Sequence, residues 1–317
     1  MPVLGYSVAI GCLIWVYRGF DWKSELPRLA ATDWRWVSLA VVADILVYVC
    51  QGFRWSALLS PLGRVSSWKT MQAIYIGLFA NEVLPFRSGE VIRCYLLRKW
   101  SDISLGLVIS SVVIERLLDG ILIVLAFRLV GYYIDLPGYL LVGSQALMGV
   151  LVVASVLLVA AMLYRPEARR AVAGSGWTRW LRPLVDGVHS MGDSRSFVVA
   201  AFLSLVYFVL QILPVYFLMK AYGLDLTPWA ALVVLVILRL GTVLPQAPGN
   251  VGSFQALTVV GLKILGYERG EATGFATLLF LVVTVPLWLA GFVALMMTRM
   301  RLTEIHRDAR ESLEHSR

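Results

Sequence analysis

The sequence predicts an all-α polytopic membrane protein with about six full spans plus two re-entrant helical hairpins in inverted repeats. Three observations predict it: the composition, a series of long apolar runs, and two runs that are broken by proline and glycine at matching positions. Hydrophobic residues make up 59% of the 317 residues and charged residues 15%, against roughly 45–50% and about 25% in soluble domains. The mean hydropathy is +0.77. This composition excludes an ordinary cytosolic enzyme, a nucleic-acid binder and a disordered protein.

The charge and cysteine content give no sign of a cofactor or a nucleic-acid partner. The net charge of +8 is what an excess of Lys and Arg in cytoplasmic loops produces. Cys12, Cys50 and Cys94 are irregularly spaced in or beside apolar runs, which predicts neither a disulfide framework nor a metal site. The three histidines all lie in polar stretches: His189, His306 and His315. We therefore expect no intramembrane histidine base, no metal and no cofactor.

The apolar segments follow one another along a single transmembrane domain, residues 1–317. Six of them approach or exceed the length of about 20 residues that a spanning helix needs: 1–17, 36–59, 105–129, 139–164, 197–219 and 272–297. The first lacks a basic start and a cleavage site, so we interpret it as a retained helix. The stretch Phe53-Arg54-Trp55, near the end of the second, is interpreted as an interface anchor.

Two further segments, 68–100 and 229–265, are interrupted at corresponding places. Val83–Val91 and Val243–Val251 match at five positions with a constant offset of 160 residues, which indicates repeats at about 36–164 and about 196–298. A helix broken at membrane depth is tolerated only where the break is buried in protein or faces a wet cavity. Breaks at corresponding positions in two halves indicate a transporter binding site; two kinked spans without function are the alternative. The breaking residues are Pro85, Gly89, Pro245, Pro248, Gly249 and Gly252.

The distribution of basic residues predicts the topology. We assume that each interrupted segment returns to the side of the membrane from which it enters. Then 16 of the 28 Lys and Arg residues lie on the same side of the membrane as both termini, and 7 lie on the opposite side. The bias places the termini, the loop 165–195 and the tail 299–317 in the cytoplasm. Three full spans separate the hairpins, so we expect them to enter from opposite faces.

Ionisable residues inside apolar segments are costly and point to function by default. Glu115, Arg116 and Asp119 share a face in the middle of the 105–129 run. The first interrupted segment adds three more: Arg87, Glu90 and Arg93.

Two interpretations of this group are open and compatible. The first is a self-neutralising structural ion network. The second is a polar cavity whose arginines bind an anionic headgroup, with Arg87 as the contact and with Glu115 and Asp119 holding Arg93 and Arg116. Arg239, before the second break, either lines the same cavity or snorkels to an interface.

Three stretches resemble the signatures of a known family: residues 77–93, Glu115-Arg116-Leu117-Leu118-Asp119, and 245–252. The chain resembles, over about 36–298, the flippase-like membrane family related to the transmembrane (flippase) domain of lysylphosphatidylglycerol synthases. The third signature often continues to a glutamate where this chain has Gln255. Its Pro-Gly-Asn form is similar to hopanoid-associated members. The resemblance implies a lipid translocase of the prokaryotic cytoplasmic (inner) membrane.

We therefore expect a lipid flippase that moves an anionic, phosphate-bearing lipid without ATP, since the sequence contains no nucleotide-binding or metalloprotease motif. A membrane phospholipid, a polyprenyl phosphate and a hopanoid-type lipid are all open as substrates, and so is a homo-oligomer. The candidate headgroup-binding residues are Asn81, Arg87, Glu90, Arg93, Arg239 and Gln255.

Two other functions stay open. One is a membrane-embedded lipid phosphatase or transferase that uses Ser88 or Ser253, although neither serine has a neighbouring histidine as a base. The other is a non-catalytic subunit of a lipid-synthesis system.

Overall fold

The computed structural model consists of helices joined by turns, without a strand among the residues that it describes. Those are residues 2–84, 88–134, 195–241 and 248–298, with scattered residues between 138 and 191 and between 300 and 308. The span expected at 139–164, the loop 165–195 and the tail 299–317 lie mostly outside them, and Pro85, Arg87 and Pro245 lie entirely outside.

Eleven helices and one 3₁₀ turn are described. In chain order they are α1 (Pro2–Tyr17), α2 (Trp22–Ala30), α3 (Trp34–Leu59), α4 (Ser67–Val83), α5 (Gly89–Trp100), α6 (Leu105–Tyr133), α7 (Arg195–Leu210), α8 (Ile212–Ala221), α9 (Pro228–Gly241), the turn Pro248–Asn250, α10 (Ser253–Ile264) and α11 (Arg269–Thr298).

Within the described ranges, three helical segments are long and apolar enough to cross a membrane: Trp34–Leu59, Arg195–Ala221 and Arg269–Thr298. The last two comprise α7 with α8, and α11. Helix α6 is 29 residues long but carries three charged residues near its centre. The all-helical membrane class that the sequence predicts is therefore confirmed.

The first interrupted segment forms two helices, α4 and α5, that pack closely against each other. A methyl group on Gly89 would lie 1.8 Å from the carbonyl oxygen of Gly77, so only glycine fits at this crossing. At the far end of the pair, Lys69 donates from Nζ to the carbonyl of Trp100 at 3.0 Å. Because contacts pair late residues of α4 with early residues of α5, and early with late, the two helices are antiparallel.

The second interrupted segment has the same form. Gly261 of α10 lies against Val234 of α9, and a methyl group there would be 3.2 Å from the valine side chain. Between these helices, Gly249 and Gly252 have φ of +70° and +82°, a left-handed conformation that glycine adopts without strain. Helix α1 packs against α10, with the carbonyl of Ala9 close to Gly252.

The four helical segments from α3 to α6 are followed by four similar segments at nearly constant intervals. Their starts are 161, 161, 164 and 164 residues apart: Trp34 and Arg195, Ser67 and Pro228, Gly89 and Ser253, Leu105 and Arg269. The two breaks meet in space, because the 3₁₀ turn packs on α4 and Gly249 lies against the carboxylate of Glu82.

Candidate functional site

A cavity of about 210 Å³ lies where the two broken segments meet. Its walls come from α3, α4, α8, α9, the 3₁₀ turn, α10 and α11, with Gln211 at the α7–α8 junction. Most of the wall is apolar. The polar side chains that line it are Asp44, Tyr48, Asn81, Glu82, Gln211, Arg239, Asn250 and Thr284.

Arg239 is the only basic side chain among the described residues that line this cavity. It lies in the last turn of α9, and its guanidinium donates a hydrogen bond to Oε1 of Gln211. The amide of Gln211 in turn donates to the carbonyl of Tyr207 at 3.3 Å. Arg239 therefore lines a cavity, but one that no described member of the predicted charged cluster shares.

Asp44 is the most deeply buried carboxylate of the cavity wall, with 5% of its surface exposed. No described residue donates a hydrogen bond to its Oδ2 atom. Sequence reasoning did not single out this residue, although an isolated aspartate in an apolar run is a strong signal, since an ionised carboxylate at membrane depth is costly.

Asn81 and Glu82 connect the cavity to both breaks. Asn81 accepts a hydrogen bond from the backbone N–H of Gly89 at 2.8 Å, which satisfies a donor that the broken helix leaves free. The neighbouring Glu82 lies against Gly249 of the second break. The end of α4 therefore contacts both broken segments.

A second polar cluster lies beside the first hairpin, and we call it the ion network. It contains three arginines and three carboxylates: Arg54, Arg93, Arg116, Glu90, Glu115 and Asp119. Glu115 is at its centre and accepts from Arg54 at 2.7 Å, from Arg93 at 3.4 Å and from the amide of Gln51 at 2.8 Å. Equal numbers of charges of each sign make the network formally neutral.

The remaining pairs close the network. Glu90 lies 2.7 Å from Arg93 and 2.8 Å from Arg116. Asp119 pairs with Arg54 and lies 3.6 Å from Arg116. Glu90 and Arg116 are 42% and 47% exposed, whereas Arg54 and Glu115 are at 1%, so one edge of the network is open and its centre is closed.

The structure corrects the interpretation of Arg54 as an interface anchor. Its side chain is buried between Glu115 and Asp119 and lies 4.4 Å from the ring centre of Tyr207. The expected pairs of Glu115 with Arg93 and of Asp119 with Arg116 are present, but both carboxylates lie closer to Arg54. An available signal was the spacing of Asp44, Gln51 and Arg54, which places three polar side chains on one face of an apolar helix.

The described members of the predicted charged cluster lie apart from this cavity. None of the five described members of the predicted cluster lines the cavity, and Arg87 lies outside the described residues. Gln255 is also elsewhere: it is 4% exposed, and its Oε1 accepts from the backbone N–H of Gly252 at 2.8 Å. Gln255 therefore caps α10 beside the second break.

One face of α7 joins the ion network to the cavity. Ser204 accepts from Arg54 at 3.4 Å, the ring of Tyr207 faces the same guanidinium, and Gln211 binds Arg239. Ser204, Tyr207 and Gln211 are three and four residues apart, so they lie on the same face of the helix. The two polar sites thus share a wall.

A separate contact ties α2 to the ends of α8 and α11. Tyr222 donates to Glu25 at 2.7 Å, and Arg28 forms an ion pair with Glu271. Burial raises the pKa of Tyr222, and the hydrogen bond and the charge of Glu25 raise it further. No group of three or more potential metal ligands is present in the described part of the chain.

Comparison with known proteins places the chain among membrane proteins. Residues 3–291 match the family model described as the lysylphosphatidylglycerol synthase TM region. A UPF0104 membrane protein of Methanocaldococcus jannaschii is 24% identical over 310 residues, which cover 91% of this chain and 92% of the relative. A UPF0104 membrane protein of Methanothermobacter thermautotrophicus is 24% identical over 266 residues, which cover 75% of this chain and 78% of the relative.

Proposed function

Since the chain belongs to the lysylphosphatidylglycerol synthase transmembrane-region family, we propose that it is a lipid translocase. It moves an anionic, phosphate-bearing lipid between the leaflets of the prokaryotic inner membrane without ATP. The observation that carries this proposal is the cavity at the meeting point of two broken helical segments, with one guanidinium in its wall. Paired breaks of this kind are where transporters bind their substrates.

Arg239 is the group that we expect to bind the phosphate, because a guanidinium matches two phosphate oxygens at once. Gln211 fixes its position. Asn81 and Asn250 line the same cavity, and amide N–H groups suit the remaining phosphate oxygens. Arg87 stays a predicted second contact.

The size of the cavity favours a headgroup over a whole lipid. Pockets for drug-sized ligands usually have about 300–1,000 Å³, and this one has about 210 Å³. A phosphate headgroup would therefore enter the protein while the acyl or prenyl chains stay in the bilayer. A phospholipid, a polyprenyl phosphate and a hopanoid-type lipid all agree with this arrangement.

We propose that two inverted repeats surround the cavity. The nearly constant intervals between corresponding helix starts support this, as does the contact between the breaks. With six full spans, the hairpins would enter from opposite faces, and both termini would be cytoplasmic. Single cysteines at positions 30 and 180 test the topology, because only position 30 should react with an impermeant reagent added to whole cells.

The ion network has a structural role in this proposal. It links α5 to α3 and α6 through charges that cancel, so it fixes the first hairpin against the neighbouring helices. A buried network of this kind is destabilised by the loss of one member. Glu90 and Arg116, at its half-exposed edge, are the members that a lipid headgroup can contact.

The test is reconstitution into liposomes that contain phosphatidylglycerol with a fluorescent headgroup. Translocation is measured as the fraction of label that an impermeant reductant bleaches with time. Arg239→Gln should reduce the translocation rate to that of liposomes without protein. Arg128→Gln, on the exposed face of α6, should leave the translocation rate unchanged. Release of the labelled headgroup into solution would instead identify a phosphatase or transferase, and a normal rate in Arg239→Gln would contradict the proposed site. Competition by polyprenyl phosphate would narrow the substrate class.

A further inference from the structure

The contacts of Asp44 with the described residues give it no structural role. It lies in the third turn of α3, within a helix that is long and apolar enough to span the membrane, is 5% exposed and lines the cavity. Within the described part of the chain, its Oδ2 has no hydrogen-bond partner. Structural carboxylates at such depth are normally paired, as Glu115 is in the ion network. A buried ionised group without a full set of partners tends to become neutral instead.

The groups around Asp44 come from each neighbouring helix. On its own helix Tyr48 is one turn away, and on α4 the hydroxyl of Tyr75 already donates to the carbonyl of Ile45. From the same cavity wall come Glu82 of α4, Arg239 of α9 and Thr284 of α11. At the end of α7, the amide of Gln211 donates to the backbone carbonyl of Tyr207, whose ring faces Arg54. The described lining thus has two carboxylates and one guanidinium.

We propose that Asp44 is a proton-binding site and that its proton is carried together with the lipid phosphate. This inference rests on the proposed function. In the loaded cavity, Asp44 is a neutral carboxyl group whose O–H donates to a phosphate oxygen held by Arg239. After the headgroup has left, Asp44 keeps its proton at neutral pH because its surroundings are apolar. The O–H bond breaks when the cavity is open to the more alkaline side: the electron pair stays on the carboxylate, and the proton passes to water on that side.

The coupling follows from charge. A phosphate in a cavity of about 210 Å³ is close to every wall residue, so it repels an ionised Asp44 strongly in this surrounding of low dielectric constant. Headgroup binding therefore favours the protonated carboxyl group, and by linkage a bound proton favours headgroup binding. The proton and one negative charge of the phosphate then cross as a neutral pair. A pH gradient would drive the lipid toward the side to which protons flow.

Two measurements test this inference separately from the proposed function. The first is infrared spectroscopy of the purified full-length protein at neutral pH. The C=O stretch of a protonated carboxyl group should be present in the wild type and in Asp225→Asn, whose carboxylate is fully exposed. It should be missing from Asp44→Asn. Absence of this band from the wild type, or its persistence in Asp44→Asn, overturns the proton site whatever the transport result.

The second measurement is the distribution of labelled phosphatidylglycerol between leaflets under an imposed pH gradient. With one proton per lipid, one pH unit should shift the ratio about tenfold toward the alkaline side, since a pH unit is a tenfold ratio in proton activity. Asp44→Asn should lose this dependence, and Asp44→Glu should restore it. Wild-type translocation that ignores the pH gradient, or that follows a sodium gradient instead, contradicts coupling. An infrared band without any translocation leaves Asp44 as a proton site and refutes the lipid translocase.

Discussion

Arg54 and Glu115 form an ion pair with 2.7 Å between Nη2 and Oε1, and each side chain has only 1% of its surface exposed. The residues are 61 positions apart, on α3 and α6. The pair is the closed centre of a network that also fixes α5 through Arg93. Because a buried charge depends on its partner, the loss of either residue should destabilise the packing of α3 against α6.

We expect Arg54→Leu to destabilise the protein by about 3–5 kcal/mol, because it leaves Glu115 and Asp119 buried with too little positive charge. The measurement is the unfolding free energy or melting temperature in mild detergent. Arg64→Leu, which removes an exposed arginine just beyond the end of α3, is the matched control and should be nearly neutral. Equal melting temperatures for both variants would show that the network is not needed for folding.

Gly89→Ala should disrupt the crossing of α4 and α5. Its new methyl group would lie 1.8 Å from a backbone carbonyl, which cannot move aside as a side chain could. Overpacking of this kind costs typically about 1–3 kcal/mol. Gly270→Ala in α11 is the control, since a methyl group there meets nothing within 4 Å. A melting temperature of Gly89→Ala within error of the wild type would contradict the described helix contact.

The sequence predicted the features that depend on local pattern. Proline and glycine at matching positions predicted both breaks, and the signature Glu115-Arg116-Leu117-Leu118-Asp119 predicted half of the ion network. The burial of Arg54 was not predicted, because a basic residue near the end of an apolar run commonly snorkels to an interface. Its burial depends on carboxylates of α6, far along the chain.

The separation of the cavity from the ion network could not be predicted either. Glu90 and Arg239 are both charged residues beside a break, and no local signal tells which of them faces the cavity. That depends on how α7 packs against α3, since Tyr207 contacts Arg54 and Gln211 binds Arg239. Such side-chain pairing depends on the tertiary structure, and the local patterns of a single sequence do not predict it.

The contact between Tyr222 and Glu25 should make stability fall at alkaline pH. Burial and Glu25 raise the pKa of this tyrosine in the folded state, while an unfolded chain has the ordinary value of about 10. Above that pH the unfolded state loses a proton that the folded state keeps, so the free energy of unfolding decreases as pH rises. The contribution is complete below about pH 10 and is lost progressively up to the raised folded-state pKa.

Melting curves of the wild type and Tyr222→Phe between neutral pH and about pH 11 check this prediction, since that range includes the ordinary tyrosine pKa. The wild type should lose more stability over the range than Tyr222→Phe does. Tyr132→Phe removes an exposed tyrosine and should follow the wild-type curve. Parallel curves for wild type and Tyr222→Phe would mean that Tyr222 does not titrate differently in the two states.

Gln255 offers a test of whether its position serves acid chemistry or helix capping. Its Oε1 accepts the N–H of Gly252, an acceptor role that a glutamate carboxylate fills equally well and that the start of α10 would favour electrostatically. Gln255→Glu should therefore fold and translocate lipid as the wild type does. Gln255→Leu keeps the volume but leaves a buried N–H without a partner, at a cost of about 1–3 kcal/mol. Melting temperature and translocation rate, measured for both variants, distinguish the roles. A Gln255→Glu protein that translocates much faster than the wild type, with an unchanged melting temperature, would indicate that the acid itself takes part in transport.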